Sequence, residues 1–195
     1  PTRNFGSLTG DPQLEQFLMD ADFDGRQYNN LIREAQVNAS IYGTCWLIVD
    51  KPNSNAKTRA EELSQDIRPY ISIYTPENVT NWKYERASNG RYYLTSLTVV
   101  EDMMGKDAIV KVWTMEDITT YKVEDFTIGY ATKKPTKIDE QENALGTIPA
   151  VILYNQRTSK RGIGISDLSD VAELQKSIYN DYSEIEQLIR LSNHP

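Results

Sequence analysis

The side chains best spaced for chemistry lie in Asp20-Ala-Asp22-Phe-Asp24-Gly25, which matches the first half of an EF-hand-like calcium loop. Three carboxylates at alternate positions converge on a hard cation in such loops, and the glycine allows the turn. The second half fails, because the twelfth position is Leu31 where a bidentate glutamate belongs. Asp20, Asp22 and Asp24 are therefore expected to form a polar turn between two helices and to hold no metal, although they are the candidate ligands. His194 is the single histidine, next to the end of the chain. That leaves no Ser-His-Asp or Cys-His constellation and no histidine cluster for zinc. The carboxylates are many but scattered, and nothing in their spacing sets two across a cleft as a glycosidase requires. Gly162-Ile-Gly164-Ile-Ser166 precedes a helix, yet it lacks the third glycine and the lysine of phosphate-binding loops. It reads as close backbone packing and helix entry. No catalytic residue and no cofactor are expected.

Composition narrows the class further. Apolar residues make up 39% and charged residues 25% of the 195 positions, so a disordered solvating chain is excluded and one packed unit is the default. Lys plus Arg is 21 against 28 for Asp plus Glu, a formal charge of −7, which disfavours a general nucleic-acid clamp. Cys45 has no partner for a disulfide, and its neighbours in Gly43-Thr-Cys-Trp-Leu-Ile-Val49 suggest a buried thiol acting as a small hydrophobe in a reducing compartment. No apolar run approaches the roughly 20 residues that cross a bilayer, and no secretory signal opens the chain, so no membrane is expected and the sequons at Asn38 and Asn78 read as chance. The start at Pro1 without Met, and an end soon after a periodic helix, read as the marks of a piece of something longer.

The elements that must position these residues follow from periodicity. Residues 1–10 read as a flexible lead-in. Asp11 and Pro12 start a helix carrying Leu14, Phe17, Leu18 and Ala21 on one face. A second helix carries Tyr28, Leu31, Ile32, Ala35 and Ala39 and ends near Tyr42-Gly43, where glycine can take the left-handed cap. Strands are expected at 44–50, 70–74, 79–86, 91–100, 108–115 and 118–123, the last extending toward Tyr130, with Ser88-Asn-Gly90 as a hairpin turn. They imply one antiparallel sheet of about five to seven strands. Lys51–Gln65 and Lys133–Ala144 read as polar surface connections, and Ala150–Tyr154 as a last buried strand. Ser166 caps a long final helix in which Leu168, Val171, Leu174, Ile178, Tyr182, Ile185 and Leu188 recur every three or four residues. By spacing alone such a stripe is more often core than interface, and Tyr179 and Tyr182 fit ordinary helix packing. The fold class is α+β: N-terminal helices, an antiparallel sheet-rich middle and a long C-terminal helix.

The order of four segments resembles the portal, or head-to-tail connector, proteins of tailed double-stranded DNA bacteriophages. These are Ala21-Asp-Phe-Asp-Gly25 followed by a helix and Tyr42-Gly-Thr-Cys-Trp-Leu-Ile-Val-Asp-Lys-Pro52; Tyr74-Thr-Pro-Glu-Asn-Val-Thr-Asn-Trp82; Leu145-Gly-Thr-Ile-Pro-Ala-Val151; and Gly164-Ile-Ser-Asp-Leu168 opening a helix with Tyr179-Asn-Asp-Tyr-Ser183 inside it. The likeness spans roughly residues 15–195 and carries no catalytic residues. It implies a wing-like region over 11–163 and, over 164–195, a helix leading toward a stem that this sequence does not contain. It also implies a virion component assembled in the host cytoplasm and placed at one capsid vertex, a ring usually of twelve subunits. Its partners would be copies of itself, the capsid protein, the packaging terminase and head completion or tail adaptor proteins, with double-stranded DNA passing through non-specifically. Subunit contacts in such a ring are heterologous, and the final helix is the candidate for one face, with Tyr179, Tyr182, Ile185 and Arg190 as its contact residues. A second reading, from another class, is a carbohydrate- or calcium-binding β-rich module using Trp82, Tyr84, Tyr92, Tyr93 and Trp113 with the aspartate loop. A third is a hydrolase using two carboxylates.

Overall fold

A computed structural model describes residues 12–52, 58–127, 130–131 and 134–192. The expected lead-in over 1–10, the Asp11 cap and His194 lie outside the described residues. In chain order the elements are α1 (Pro12–Met19), α2 (Tyr28–Tyr42), β1 (Thr44–Asp50), α3 (Arg59–Ser64), β2 (Tyr70–Tyr74), β3 (Val79–Arg86), β4 (Tyr92–Met104), β5 (Asp107–Thr114), β6 (Asp117–Val123), β7 (Phe126–Thr127), β8 (Tyr130–Ala131), β9 (Thr136–Glu142), β10 (Ala150–Tyr154), β11 (Gln156–Arg157), β12 (Gly164–Ile165) and α4 (Ser169–Ser192). This is the α+β arrangement that the periodicity predicts.

The strands divide into two principal antiparallel sheets, not one: β10-β1-β2, and β3-β4-β5-β6-β9. Strand β1 explains the split, because it is apolar on both faces. Trp46 and Ile48 point one way and pack with Val79, Leu97, Val99, Trp113 and Ile118 of the larger sheet. Cys45 and Leu47 point the other way. There Cys45 meets Ala35 and Ala39 of α2, while Leu31 of α2 packs with Ala21 and Ile71. Small residues four apart let the helix lie close on the sheet. The result is three layers, with helices over a three-stranded sheet over a five-stranded one. A separate cluster of Val100, Ala108, Val110 and Val123 lies along the larger sheet, with Phe126 folded against it.

Local chemistry sets the connections. Gly43 ends α2 at φ 84°, as the left-handed cap requires. The β3–β4 hairpin closes through a Gly90 N–H to Ala87 C=O bond of 2.9 Å with Gly90 at φ 81°, a three-residue loop and not a two-residue turn. Four further sequence expectations are corrected. The connection 51–65 contains α3, and the connection 133–144 contains β9, which pairs with β6 from Asp117↔Glu142 to Lys122↔Thr136. Strand β9 is an exposed edge held by main-chain bonds and dressed with charge, so it lacks the apolar alternation that marks a strand in sequence. Strand β6 stops at Val123 because the chain reverses at Glu124-Asp125, with Asp125 at φ 49°. Strand β10 is neither the last strand nor fully buried: β11 and β12 follow it, and Val151 is exposed at this sheet edge.

Between the two sheets runs a half-buried polar network. Lys111 Nζ lies 2.7 Å from Asp50 Oδ2 and 3.3 Å from Glu101 Oε1, and the Tyr70 hydroxyl donates to Asp50 at 3.3 Å. Burial opposes the charge on Lys111, but its bond to Asp50 and the two nearby carboxylates outweigh that and raise its pKa. Burial, with the charge of Asp50 second, also raises Tyr70; burial, with Glu101 second, pushes Tyr74 to about 12. Cys45, wholly buried, is pushed up to about 11 chiefly by desolvation. All these groups favour the protonated form in the folded state. Their contribution is fully present below their unfolded pKa values and is lost as pH rises through the folded ones. Stability measured by urea unfolding should therefore hold to about pH 8 and fall from pH 9 upward. Cys45 ionises first on unfolding and accounts for about 1–2 kcal/mol by pH 11. Cys45→Ala should flatten the first part of that fall; a stability curve level through pH 11 in the parent protein would contradict the buried thiol.

Candidate assembly surface

The long helix α4 is aimed by a junction of short polar bonds. The last carbonyls of α2 have no partner within that helix. Ser166 Oγ reaches those of Ser40 and Ile41, and the Asp167 amide donates to Ser40 C=O at 3.0 Å. The Ser40 hydroxyl bonds the Asp167 carboxylate, which also accepts from Asn155 Nδ2 at 2.7 Å; these two bonds hold its carboxyl below the usual range. Asn155 further donates to Ile165 C=O, and its own amide donates to Gly43 C=O at 3.0 Å. The end of α2, the end of β10 and the entry to α4 are thus tied at one point.

Two glycines make the junction possible. A Cβ on Gly164 would stand 2.1 Å from the Gly43 carbonyl oxygen, so the two backbones touch. A Cβ on Gly162 would stand 2.3 Å from Trp82 Nε1, which donates to Arg161 C=O at 3.1 Å. Both are the close approaches that the Gly162-Ile-Gly164 spacing predicts. Ser166 accepts from the Leu168 amide at 3.0 Å, capping a preceding turn, and the helix proper begins at Ser169.

From this anchor α4 runs for 24 residues, about 36 Å. No residue of it is buried. Val171, Leu174, Ile178, Tyr182, Ile185 and Ile189 line one face at 3.6-residue spacing, all exposed, so the chain itself supplies no cover for the stripe. Periodicity alone favours a core face; the structure places that face in solvent. Tyr182 and Ile185 lie within the stripe, whereas Tyr179 and Arg190 lie on one flank, where Arg190 approaches Glu186 at 3.7 Å. The opposite flank is acidic, carrying Asp170, Glu173, Asp181 and Glu184.

The aspartate loop is brought together, and the carboxylates of Asp20 and Asp22 are already engaged. Asp20 accepts from the Gly25 amide at 3.0 Å and from Arg68 at 2.7 Å. Asp22 accepts from the amides of Asp24 and Arg26 and pairs with the Arg26 guanidinium at 2.7 Å. Arg68 also lies 4.3 Å over the Phe23 ring. Two arginines thus pair with carboxylates of the loop. Among the described residues no group of three His, Cys, Asp or Glu could hold a metal. Of the aromatic residues considered for a sugar platform, Trp113 is buried between the sheets and Trp82 packs against Gly162, whereas Tyr92 and Tyr93 are exposed.

Two features lie outside the expected site residues. The Ser40–Asp167 bond joins residues 127 apart, and no local pattern signals it. The second is Arg157-Thr-Ser-Lys160-Arg161, three cations in five residues of an acidic chain, which was legible as a charge run.

The junction thus fixes an amphipathic helix whose apolar face is left uncovered by the described residues of its own chain. The chain belongs to the phage portal proteins: the family model described as phage portal protein, SPP1 Gp6-like, matches residues 8–194. A comparison with the curated proteins finds no match. Proteins of this family are structural components of the virion. Among the described residues no helix is long and apolar enough to cross a membrane.

Proposed function

We propose that this chain is the wing-like part, residues 11–163, and the stem-directed helix, residues 164–195, of a portal subunit. Copies of it close a ring, of twelve subunits by analogy with the family, around a channel at one capsid vertex. DNA enters and leaves the head through that channel, and the ring offers docking sites for the terminase and for tail adaptor proteins. The observation that carries the reading is α4, a rigidly anchored helix whose apolar stripe is wholly uncovered by its own chain. Membership of the portal family supports the rest. The formal charge of −7 suits a conduit, since excess negative charge limits adhesive contacts with phosphates. Sedimentation velocity of the full-length gene product tests it. A single species more than about ten times the subunit mass is expected; a monomer or dimer at micromolar concentration would contradict the ring.

A further inference from the structure

The segment around the loop between β11 and β12 is cationic in an acidic chain. Arg157, Lys160 and Arg161 are exposed, and none makes an ion pair among the described residues. The two arginines nonetheless stack on aromatic rings, with Arg157 5.0 Å over Tyr154 and Arg161 3.8 Å over Tyr92. Arg86 approaches the same Tyr92 ring from 5.7 Å. The loop is pinned from below, where the Gly162 amide donates to the Tyr154 hydroxyl at 2.8 Å and Trp82 holds the Arg161 carbonyl. Cations presented this way have lost part of their rotamer freedom before any partner arrives, which lowers the cost of pairing them.

A complementary surface lies on the same chain. The acidic flank of α4 presents Asp170, Glu173, Asp181 and Glu184 in one row beside the apolar stripe, and none of the four is paired among the described residues. Among the described residues no ion pair joins the row to the loop within one chain. We propose that the Arg157–Arg161 loop of one subunit docks against the acidic flank of α4 in the next, beside the apolar stripe. The inference rests on the ring reading and names the two faces that the ring brings together. Different patches on the two sides make the contact heterologous, which is the kind that closes rings. The stripe supplies buried area, while the charged row fixes register and rejects the wrong approach. Nucleic acid is the less favoured occupant, because the chain as a whole carries a formal charge of −7.

The test is a charge swap in the full-length gene product, read by sedimentation and negative-stain imaging. Arg157→Glu with Arg161→Glu should reduce the ring fraction at least about tenfold at fixed concentration, with the thermal melt unchanged because both side chains are exposed. Reversal of Asp170 with Glu173, or of Asp181 with Glu184, to lysine should do the same. Combining the loop reversal with one of these pairs should restore rings, as a double-mutant cycle requires of groups in contact. Rings that survive the loop reversal would overturn the contact, as would losses that no combination repairs. Intact rings whose loop variant loses affinity for a labelled 20-base-pair duplex would assign the loop to nucleic acid instead. Wild-type protein that forms no rings would sink the ring reading itself, and this contact with it.

Discussion

Gly43→Ala is expected to cost about 3 kcal/mol of folding stability, a large share of the 5–15 kcal/mol typical of a domain. Two terms add. The residue sits at φ 84°, a conformation that costs an L side chain about 1–2 kcal/mol. Its new Cβ would also stand 2.6 Å from the Gly164 carbonyl oxygen, a backbone atom that cannot swing aside. Overpacking of that kind costs about 1–3 kcal/mol. Gly25→Ala supplies the control, with φ 81° and nothing within 4 Å of the added carbon, so only the conformational term applies. Urea unfolding should rank Gly43→Ala well below Gly25→Ala. Equal losses would mean that the backbones of Gly43 and Gly164 do not touch, and the explanation of how α4 is aimed would fail.

Ile185→Asp is expected to abolish ring assembly while leaving the subunit folded. In the isolated chain Ile185 is 53% exposed and touches no core, so the substitution should move the melting temperature little. In a ring the same side chain would be buried against a neighbour. An unpartnered carboxylate there costs several kcal/mol at every interface around the ring. Arg190→Glu, on the flank of the stripe, should weaken assembly less, because its single near carboxylate is a loose 3.7 Å contact in solvent. Size-exclusion chromatography with circular dichroism separates the two effects. Rings unchanged in both variants would remove α4 from the interface, and an unfolded Ile185→Asp subunit would show that the stripe packs within the chain after all.

How much of this was legible in the sequence depended on which physical signal each element carries. The bounds of α2, β1, β2 and β10 follow from apolar spacing and from Gly43, because those elements bury a face. Strand β9 and helix α3 bury little, so they carried no apolar rhythm, and both read as loop. The division into two sheets could not be read either. Alternation says which residues share a face, whereas pairing between β1 and β10 is fixed by partners about a hundred residues apart. The stripe on α4 shows the same limit from the other side. Its spacing is identical whether a neighbouring strand or a neighbouring subunit covers it, and only the placement of the helix, held by Ser40, Asn155 and Asp167, shows that no described strand of this chain does. The Asp20, Asp22, Asp24 loop was legible as a turn, but the arginines that pair with it are Arg26 nearby and Arg68 far along the chain.

Negative-stain imaging of the full-length gene product tests the central claim most directly. The account predicts closed rings of uniform diameter with a central channel, in which every subunit shows a face to each neighbour. A well-folded population of monomers or two-fold dimers would contradict it, because neither covers the apolar stripe of α4 with the heterologous contact that a channel requires.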